Sequence, residues 1–364
     1  MRNHYLDNIR WTTVLLVGLY HVIYIFNGVA VFGVIGPFKE VQYQDSILYL
    51  CYPWFMLLLF IVSGISSRLY LEKHTVKEFI KSRTTKLLVP STIGVLVFGW
   101  AQGYVSMKIS NAFENIPAAI PAPIQFLIMC LSGTGVLWFA QLLWFFSLIL
   151  GLIRKIEKGK LYELTKKTNI IVLVLLVIPV FLSGLILNTP MVTVYRFGYY
   201  GIGFLLGYFV FAHEEVTDRL IKYRYVLIGV AAVLGAVYTV LHFGDNYAEA
   251  PSYNCISAVA FAWAMCLAIF AGFKKWGNKS SKFTQYMTTR SFGFYIFHYL
   301  PMSAVAYLLH TYTNMPALPS YLITGAATFA GGLLLYEIFS RIPVIRWCLL
   351  GIKGKKKEKN NNVQ

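Results

Sequence analysis

Long apolar stretches separated by short polar ones dominate the chain. A hydrocarbon core about 30 Å thick requires about 20 apolar residues in a helix. A further apolar piece lies within the proline-rich connection 107–134, where it suits an interfacial or a re-entrant position. The pattern therefore predicts an all-α, polytopic membrane protein, a bundle of about ten transmembrane helices. The predicted segments are residues 9–32, 46–66, 87–106, 135–153, 169–187, 197–212, 225–243, 254–272, 291–309 and 320–338.

The composition supports this class. Of the 364 residues, 57% are hydrophobic and only 13% are charged, whereas soluble domains carry about 25% charged residues. The net charge of +17 does not indicate a nucleic-acid partner, because the basic residues form short clusters between apolar segments. Nucleic-acid binding requires basic residues along one exposed face. We expect membrane lipid headgroups to be the partner of the basic clusters instead.

The distribution of basic residues predicts the orientation in the membrane. One side of the ten-segment arrangement holds 29 of the 32 Lys and Arg residues. By the positive-inside rule, the protein is a multi-pass protein of the cell membrane with both termini in the cytoplasm. Residues 1–345 are expected to form the membrane domain, and residues 346–364 a basic, disordered cytoplasmic tail. The other side carries three cations, Lys39, Lys108 and Arg196.

The cysteines and histidines show no spacing typical of a metal site or a disulfide framework. The five cysteines lie in or beside apolar segments, so we expect them to be small packing residues. No metal ion and no permanently bound cofactor is predicted. The cysteines are Cys51, Cys130, Cys255, Cys266 and Cys348.

His21 is an unusual residue for the middle of an apolar segment. It lies eleven residues after Arg10, which places both on one helix face with His21 about 16 Å deeper. Ionisable groups within membrane helices usually face a cavity or a pathway. A structural hydrogen bond between helices is the alternative interpretation of His21. Asp7 and Arg10 are spaced for an ion pair at the helix end.

Two other groups of polar residues are candidates for a site. Ser63 begins a run of small residues in the second segment, which allows a ligand or another helix to approach closely. Arg83 and Lys86 lie at the start of the third segment and are i,i+3 neighbours if this region is helical. They are suited either to clamping a phosphate or to ordinary membrane anchoring.

A set of short motifs resembles the membrane acyltransferase-3 family. "YLDNIR" is followed at a fixed distance by His21, and then come "LFIVSG", "SRTTKLLVP", "VLWF" and "SFGFYIFHY", in this order. Each motif is short, but the ordered set covers nearly the whole chain. The opening block and the ending "YEIFSRIPVIR" are most similar to the branch that succinylates periplasmic glucans.

The resemblance implies a ten-helix bundle that takes an acetyl-type or succinyl-type acyl group from cytoplasmic acyl-CoA. The acceptor would be a hydroxyl of a carbohydrate on the outer side, and acyl-CoA would be a co-substrate. In the family pattern, the catalytic histidine is matched by His21 and the first-helix arginine by Arg10. The family's RxxR motif, associated with the phosphates of the donor, is matched by Arg83 and Lys86.

The chain departs from the family pattern at several positions. Lys86 replaces the second arginine, which keeps the charge but loses the bidentate fork. Val136 stands where the glucan branch often has histidine, and Tyr299 replaces the second member of a histidine pair that begins at His298. The acyl group and the acceptor therefore stay open. His298 itself suits either a site role or a buried hydrogen bond, and Trp138 suits either a site wall or packing.

A secondary transporter or permease for a small polar solute is the alternative function. Interior histidines and helices interrupted by proline are typical of transporters. The two halves of the sequence show no inverted repeat, and the ordered motifs favour acyl transfer. The sequence leaves the oligomeric state open.

Overall fold

The structure is a computed structural model that describes residues 3–29, 33–117, 120–188 and 194–353. Within these ranges the chain forms helices and no strands, which confirms the all-α fold class. The helices are α1 His4–Tyr24, α2 Tyr43–Leu71, α3 Val76–Ile109, α4 Ala122–Ser132, α5 Gly135–Glu157, α6 Lys160–Thr165, α7 Ile170–Ser183, α8 Phe197–Phe211, α9 Glu214–Lys222, α10 Arg224–His242, α11 Ile256–Trp276, α12 Lys282–Phe297, α13 Tyr299–Tyr312, α14 Ala317–Phe339 and α15 Pro343–Leu350.

The number of membrane-spanning helices differs from the sequence prediction. Six of the described helices, α2, α3, α5, α10, α11 and α14, are long and apolar enough to cross a bilayer, and the bent pair α12–α13 is a seventh candidate. The count of about ten is not confirmed. The apolar helices α4, α7 and α8 are shorter, and α1 is long enough but carries Asp7, Arg10 and His21. Hydropathy identified apolar segments, but it did not show where the helices begin and end.

The predicted polar connections of one side meet at one end of the bundle, which we call the basic end (residues 3–10, 66–86, 154–168, 213–224 and 274–290). There Asn3 Nδ2 donates to Glu214 Oε1 at 3.1 Å, and Asn8 Nδ2 donates to the Gly277 carbonyl at 2.6 Å. Arg154 Nη2 donates to the carbonyl of Leu71 at 3.1 Å. These bonds join the segment 3–10 to the connections 213–224 and 274–290, and the connection 154–168 to the connection 66–86. That this end faces the cytoplasm stays a prediction of the charge count.

The opposite end, which we call the far end (residues 25–29, 33–49, 243–254 and 312–321), is joined by a second set of contacts. The Asp45 carboxylate accepts a hydrogen bond from the backbone N–H of Gly28 at 2.8 Å. The Tyr49 hydroxyl donates to the carbonyl of Asp245 at 2.7 Å. The connection after α1 and the connection after α10 therefore close this end together.

A bend of 49° separates α12 from α13, and His298 lies at the break. Pro301 explains the bend, because proline lacks an N–H and its ring clashes with the carbonyl four residues earlier. Helix α14 packs directly against the bend through Gly331 and Gly332. A Cβ at Gly332 would lie 3.0 Å from the Cα of His298, so only a residue without a side chain fits there without a shift.

Helix α1 approaches the same bend through another glycine. A Cβ at Gly18 would lie 2.9 Å from the ring of Phe294 on α12. Because Gly18 and His21 are one helical turn apart, they lie on the same face of α1. The missing side chain at Gly18 therefore lets α12 come close enough for His21 to reach His298.

The apolar piece of the 107–134 connection is the short helix α4, which packs on α3. Gly103 on α3 lies against the backbone of Met129, and Gly133 lies against the backbone of Gly99, with no room for a Cβ at either glycine. Such close backbone contact between small residues is typical of helix pairs in membranes. The helical hairpin therefore depends on its glycines.

The predicted boundary between the membrane domain and the tail, at residue 345, lies inside α15. Leu349 and Leu350 are buried, and Gly94 on α3 faces the backbone carbonyl of Cys348. The ordered bundle thus extends past the predicted boundary, because these apolar residues pack against α3. The rest of the predicted tail, from residue 354, lies outside the described residues.

Candidate active site

Two imidazoles meet in the interior of the bundle. His21 Nδ1 and His298 Nε2 are 3.2 Å apart, and the two ring centroids are 5.2 Å apart. His298 is fully buried, whereas His21 is partly exposed. The structure thus brings together two sequence candidates from opposite ends of the chain, and a reactant can approach only His21.

The hydrogen-bond partners of His298 determine which ring nitrogens carry hydrogen. His298 Nδ1 lies 3.1 Å from the carbonyl oxygen of Phe294 and 2.9 Å from that of Tyr295. A carbonyl only accepts, so Nδ1 of His298 carries the ring hydrogen and, in the neutral ring, Nε2 is an acceptor. His21 Nδ1 must then be the donor to it. By this assignment, the lone pair of neutral His21 is on Nε2.

Tyrosine rings surround His21 on three sides. The ring centroid of His21 lies 5.2 Å from that of Tyr20, 6.1 Å from that of Tyr24 and 5.1 Å from that of Tyr299. All three pairs are edge-to-face, which is a favourable geometry for aromatic rings. The sequence analysis did not identify Tyr20 and Tyr24. The only sequence signal for these two tyrosines was their position, one residue before His21 and three residues after it.

Arg10 and Arg83 meet at the basic end on consecutive serines of α2. Arg10 Nη2 donates to Ser66 Oγ at 2.7 Å, and Arg83 Nη2 donates to Ser67 Oγ at 3.0 Å. The predicted ion pair between Arg10 and Asp7 is present, at 3.2 Å. Among the described residues Arg83 has no ion pair with a carboxylate. The two guanidinium groups are close enough to repel each other, which favours an anion between them.

Lys86 and Arg83 have different surroundings. The Lys86 side chain is exposed and lines a cleft of about 550 Å³ with Lys81 and Lys353. Arg10, by contrast, lines a cleft of about 380 Å³ with Ser66 and Lys73. A π-helical turn, Thr84–Leu88, begins directly after Arg83 and contains Lys86. The single clamp that their spacing suggested stays a prediction, and Arg83 lies beside Arg10 on the next serine of α2.

The other two candidates, Ser63 and Trp138, lie at some distance from the histidine pair. The Ser63 carbonyl accepts from Ser67 Oγ at 2.8 Å, so Ser63 is one helical turn from the pair of serines. The ring centroid of Trp138 is 5.4 Å from that of Tyr200 and 6.4 Å from that of Phe60. Trp138 thus belongs to an aromatic wall between α2, α5 and α8.

No three His, Cys, Asp or Glu residues of the described ranges are grouped so that they could hold a metal ion. The groups at the histidine pair are imidazole and tyrosine rings, and those at the basic end are guanidinium and serine groups. The interior can therefore exchange a proton at His21, and the basic end can bind an anion.

These features define a helical, membrane-type bundle with acid–base groups in its interior. The chain belongs to the acyltransferase-3 family, whose acyltransferase domain matches residues 3–337. It is a membrane acyltransferase that transfers groups other than amino-acyl groups. The match identifies the family but no branch within it. Neither a curated protein nor a solved structure matches the chain significantly.

Proposed function

We propose that the protein is a membrane O-acyltransferase that moves an acetyl-type or succinyl-type group from cytoplasmic acyl-CoA to a hydroxyl of an extracytoplasmic carbohydrate. The contact between His21 and His298 carries this proposal. It supports a role for His21 as a neutral imidazole, with its lone pair on Nε2, in the interior between the two ends of the bundle. Family membership supplies the reaction class, and the histidine pair supplies the base.

In the proposed reaction, His21 Nε2 takes the proton of the acceptor hydroxyl as the oxygen attacks the thioester carbonyl. The new C–O bond forms a tetrahedral intermediate, which collapses with cleavage of the C–S bond. The imidazolium of His21 then returns the proton to the leaving thiolate, so the products are an ester and a thiol. His298 does not touch a substrate in this scheme. It is a positioning residue that fixes the tautomer and orientation of His21.

The cleft with Arg10 is the proposed site for the phosphates of acyl-CoA. Arg10 and Lys73 line this cleft, and Arg83 lies beside Arg10 on the next serine of α2. Guanidinium groups make strong hydrogen bonds to phosphate oxygens. Arg10 and His21 are on one face of α1, about 16 Å apart along its axis. The extended pantetheine arm of CoA suits this separation, because its phosphates and its thioester are at opposite ends.

The acceptor is proposed to enter from the far end. The donor and the acceptor would then approach His21 from opposite sides of the membrane, which allows transfer across it. The acidic residue Asp45 takes no part in this entry. Its carboxylate is buried and accepts a hydrogen bond from the backbone of Gly28, so it stabilises the connection after α1.

Mass spectrometry of the envelope carbohydrates tests the proposed function. Cells that express the protein should contain a carbohydrate with an added acyl mass that is absent from cells without the gene. Cells that express an inactive but folded His21→Gln protein are the matched control and should also lack the mass. An unchanged carbohydrate profile in all three strains would contradict a carbohydrate acceptor.

A further inference from the structure

Arg196 is a buried cation that the proposed reaction does not use. The charge count places Arg196 in a connection outside the membrane, but only 1% of the residue is exposed. None of its three guanidinium nitrogens has a hydrogen-bond partner within the described residues. The hydroxyl of Tyr200 is near the guanidinium but outside hydrogen-bonding geometry. Arg196 is therefore a strong donor without an acceptor.

Aromatic rings enclose this guanidinium, but they do not neutralise it. Its central carbon lies 4.1 Å from the ring centroids of both Tyr199 and Tyr253. A desolvated cation–π contact contributes about 2 kcal/mol, whereas the burial of an ion costs several kcal/mol. No carboxylate of the described residues pairs with Arg196, and the nearby stretch 189–193, "TPMVT", contains no acid. The positive charge thus lacks a counterion from its neighbourhood.

A second unsatisfied donor lies beside Arg196. The hydroxyl of Tyr52 is buried and has no hydrogen-bond partner within the described residues, and it is within Coulombic range of Arg196. The Tyr199 hydroxyl, which donates to the Pro53 carbonyl at 3.1 Å, holds α8 against this part of α2. Buried polar groups are normally paired. Two unpaired donors at one place indicate a site for a ligand that accepts hydrogen bonds.

This cluster is one aromatic layer away from the proposed base. The ring of Tyr52 stacks on that of Tyr20 with centroids 6.3 Å apart, and Tyr20 contacts His21. A group bound to Arg196 and Tyr52 would therefore be separated from His21 by the ring of Tyr20. The basic end supplies a separate pair of arginines for the phosphates of the donor.

We propose that Arg196 and Tyr52 bind a carboxylate that is carried by one of the two substrates. The carboxylate is either the distal group of a dicarboxylic acyl chain or an acidic group on the carbohydrate. The identity of these substrates rests on the proposed function, but the anion site rests on the unpaired donors alone. A neutral substrate would leave the donors unpaired, so the site selects for charge. Binding requires the aromatic rings to move apart, since the guanidinium is enclosed.

Binding measurements with two matched ligand pairs test the site. The full chain in lipid nanodiscs is titrated with acetyl-CoA and succinyl-CoA, and separately with glucose and glucuronate. The acidic member of one pair should bind at least about tenfold more tightly than the neutral member, a factor equal to about 1.4 kcal/mol. Selectivity in the CoA pair assigns the carboxylate to the acyl chain, and selectivity in the sugar pair assigns it to the acceptor.

Variants of the two donors connect the selectivity to the site. Arg196→Gln should reduce the ratio of the two dissociation constants to about one without changing the affinity for the neutral ligand. Tyr52→Phe should reduce this ratio in part, and Arg196→Lys should keep most of the preference for the acidic ligand. Tyr199→Phe is the matched control, because its hydroxyl bonds the backbone, and it should leave the ratio unchanged. If Arg196→Gln does not fold, Tyr52→Phe and Arg196→Lys still provide the comparison.

Equal affinity for the acidic and neutral members of both pairs would overturn the anion site, as would an unchanged ratio in Arg196→Gln or in Tyr52→Phe. Failure of the proposed function gives a different result. In that case neither CoA ester binds the wild-type protein, while the comparison of glucose with glucuronate still tests whether Arg196 binds an anion.

Discussion

His21 Nδ1 and His298 Nε2 meet at 3.2 Å although the residues are 277 positions apart in the chain. Two features of the fold create this contact: Gly18 lets α12 approach α1, and the break before Pro301 places His298 at the bend. Because His298 donates its Nδ1 hydrogen to backbone carbonyls, it accepts the Nδ1 hydrogen of His21. The proposed base thus has a fixed tautomer.

Replacement of His21 tests its role as the base. His21→Ala should abolish detectable acyl transfer, because positioned acid–base catalysis typically contributes about 10²- to 10⁴-fold. Binding of acyl-CoA should stay nearly intact, because the proposed phosphate site is about three helical turns away. Acyl transfer from radiolabelled acyl-CoA and equilibrium binding of the donor measure the two effects separately.

His21→Gln distinguishes a base from a structural residue. Glutamine keeps a donor for His298 but cannot take up a proton near neutral pH. We expect it to be as inactive as alanine while the protein stays folded. A folded His21→Gln protein that transfers acyl groups at close to the parental rate would show that the mechanism is wrong.

His298 should affect the rate through His21 and not through substrate binding. His298→Leu removes the acceptor of the His21 hydrogen, and we expect kcat to fall about tenfold, the effect of losing about 1.4 kcal/mol of hydrogen bonding. The KM for the donor should not change. His298→Gln, whose side-chain oxygen can accept, should recover part of kcat. A purely structural role predicts equal losses in both variants, together with equal losses of thermal stability.

The separation of Arg83 from Lys86 predicts unequal effects on the donor. Arg83→Ala should raise the KM for acyl-CoA about 10- to 100-fold, since hydrogen bonds between charged groups contribute about 1.5 to 3 kcal/mol. Lys86→Ala should change it much less, because its exposed side chain lines the other cleft. Protein yield from the membrane must be measured for both, because cationic residues near headgroups also anchor helices. An Arg83→Ala variant with the same KM for acyl-CoA as the wild-type protein would show that Arg83 does not bind the donor.

Two glycines of α14 provide a matched pair for the contact at the bend. Gly332→Ala should lower the melting temperature and the activity, because its Cβ would lie 3.0 Å from the Cα of His298 and overpacking costs about 1 to 3 kcal/mol. Gly325→Ala should be neutral or stabilising, because a Cβ there meets nothing within 4 Å and alanine favours the helix. A greater loss in Gly325→Ala than in Gly332→Ala would contradict this description of the packing.

The charge asymmetry predicts the topology. A reporter fused after Gln364 should be active only in its cytoplasmic form, and reporters inserted in the 107–134 connection or in the "HFGDNYAEAPSYN" loop only in their extracytoplasmic form. The two insertions are controls for the terminal fusion, because they should give the opposite result in the same membrane. A terminal fusion that is active outside the cell would show that the orientation is the reverse of the predicted one.

The sequence predicted the helical class, but it did not predict how the candidate residues are arranged. Hydropathy and the ion-pair spacing of Asp7 and Arg10 are local properties, so the fold class and this contact could be predicted. The meeting of His21 and His298 depends on Gly18 and on the bend, which act through tertiary packing. The spacing of Arg83 and Lys86 assumed a regular α-helix, whereas Lys86 lies in a π-helical turn that begins directly after Arg83. A count of charges along the sequence cannot show that Arg196 is buried.

The two hydrogen-bond contacts of His298 Nδ1 with backbone carbonyls have a consequence for the energy source of the reaction. Its Nδ1 hydrogen is held by the carbonyls of Phe294 and Tyr295, and an amide carbonyl cannot take up that hydrogen as a proton near neutral pH. A proton relay from His21 therefore stops at His298 and does not continue to the aqueous phase. In the proposed reaction, the proton taken from the hydroxyl leaves on the thiol. The hydroxyl hydrogen leaves on the thiol without entering either aqueous phase, so no free proton is consumed or released, and an uncoupler that collapses the proton gradient should leave acyl transfer in vesicles unchanged.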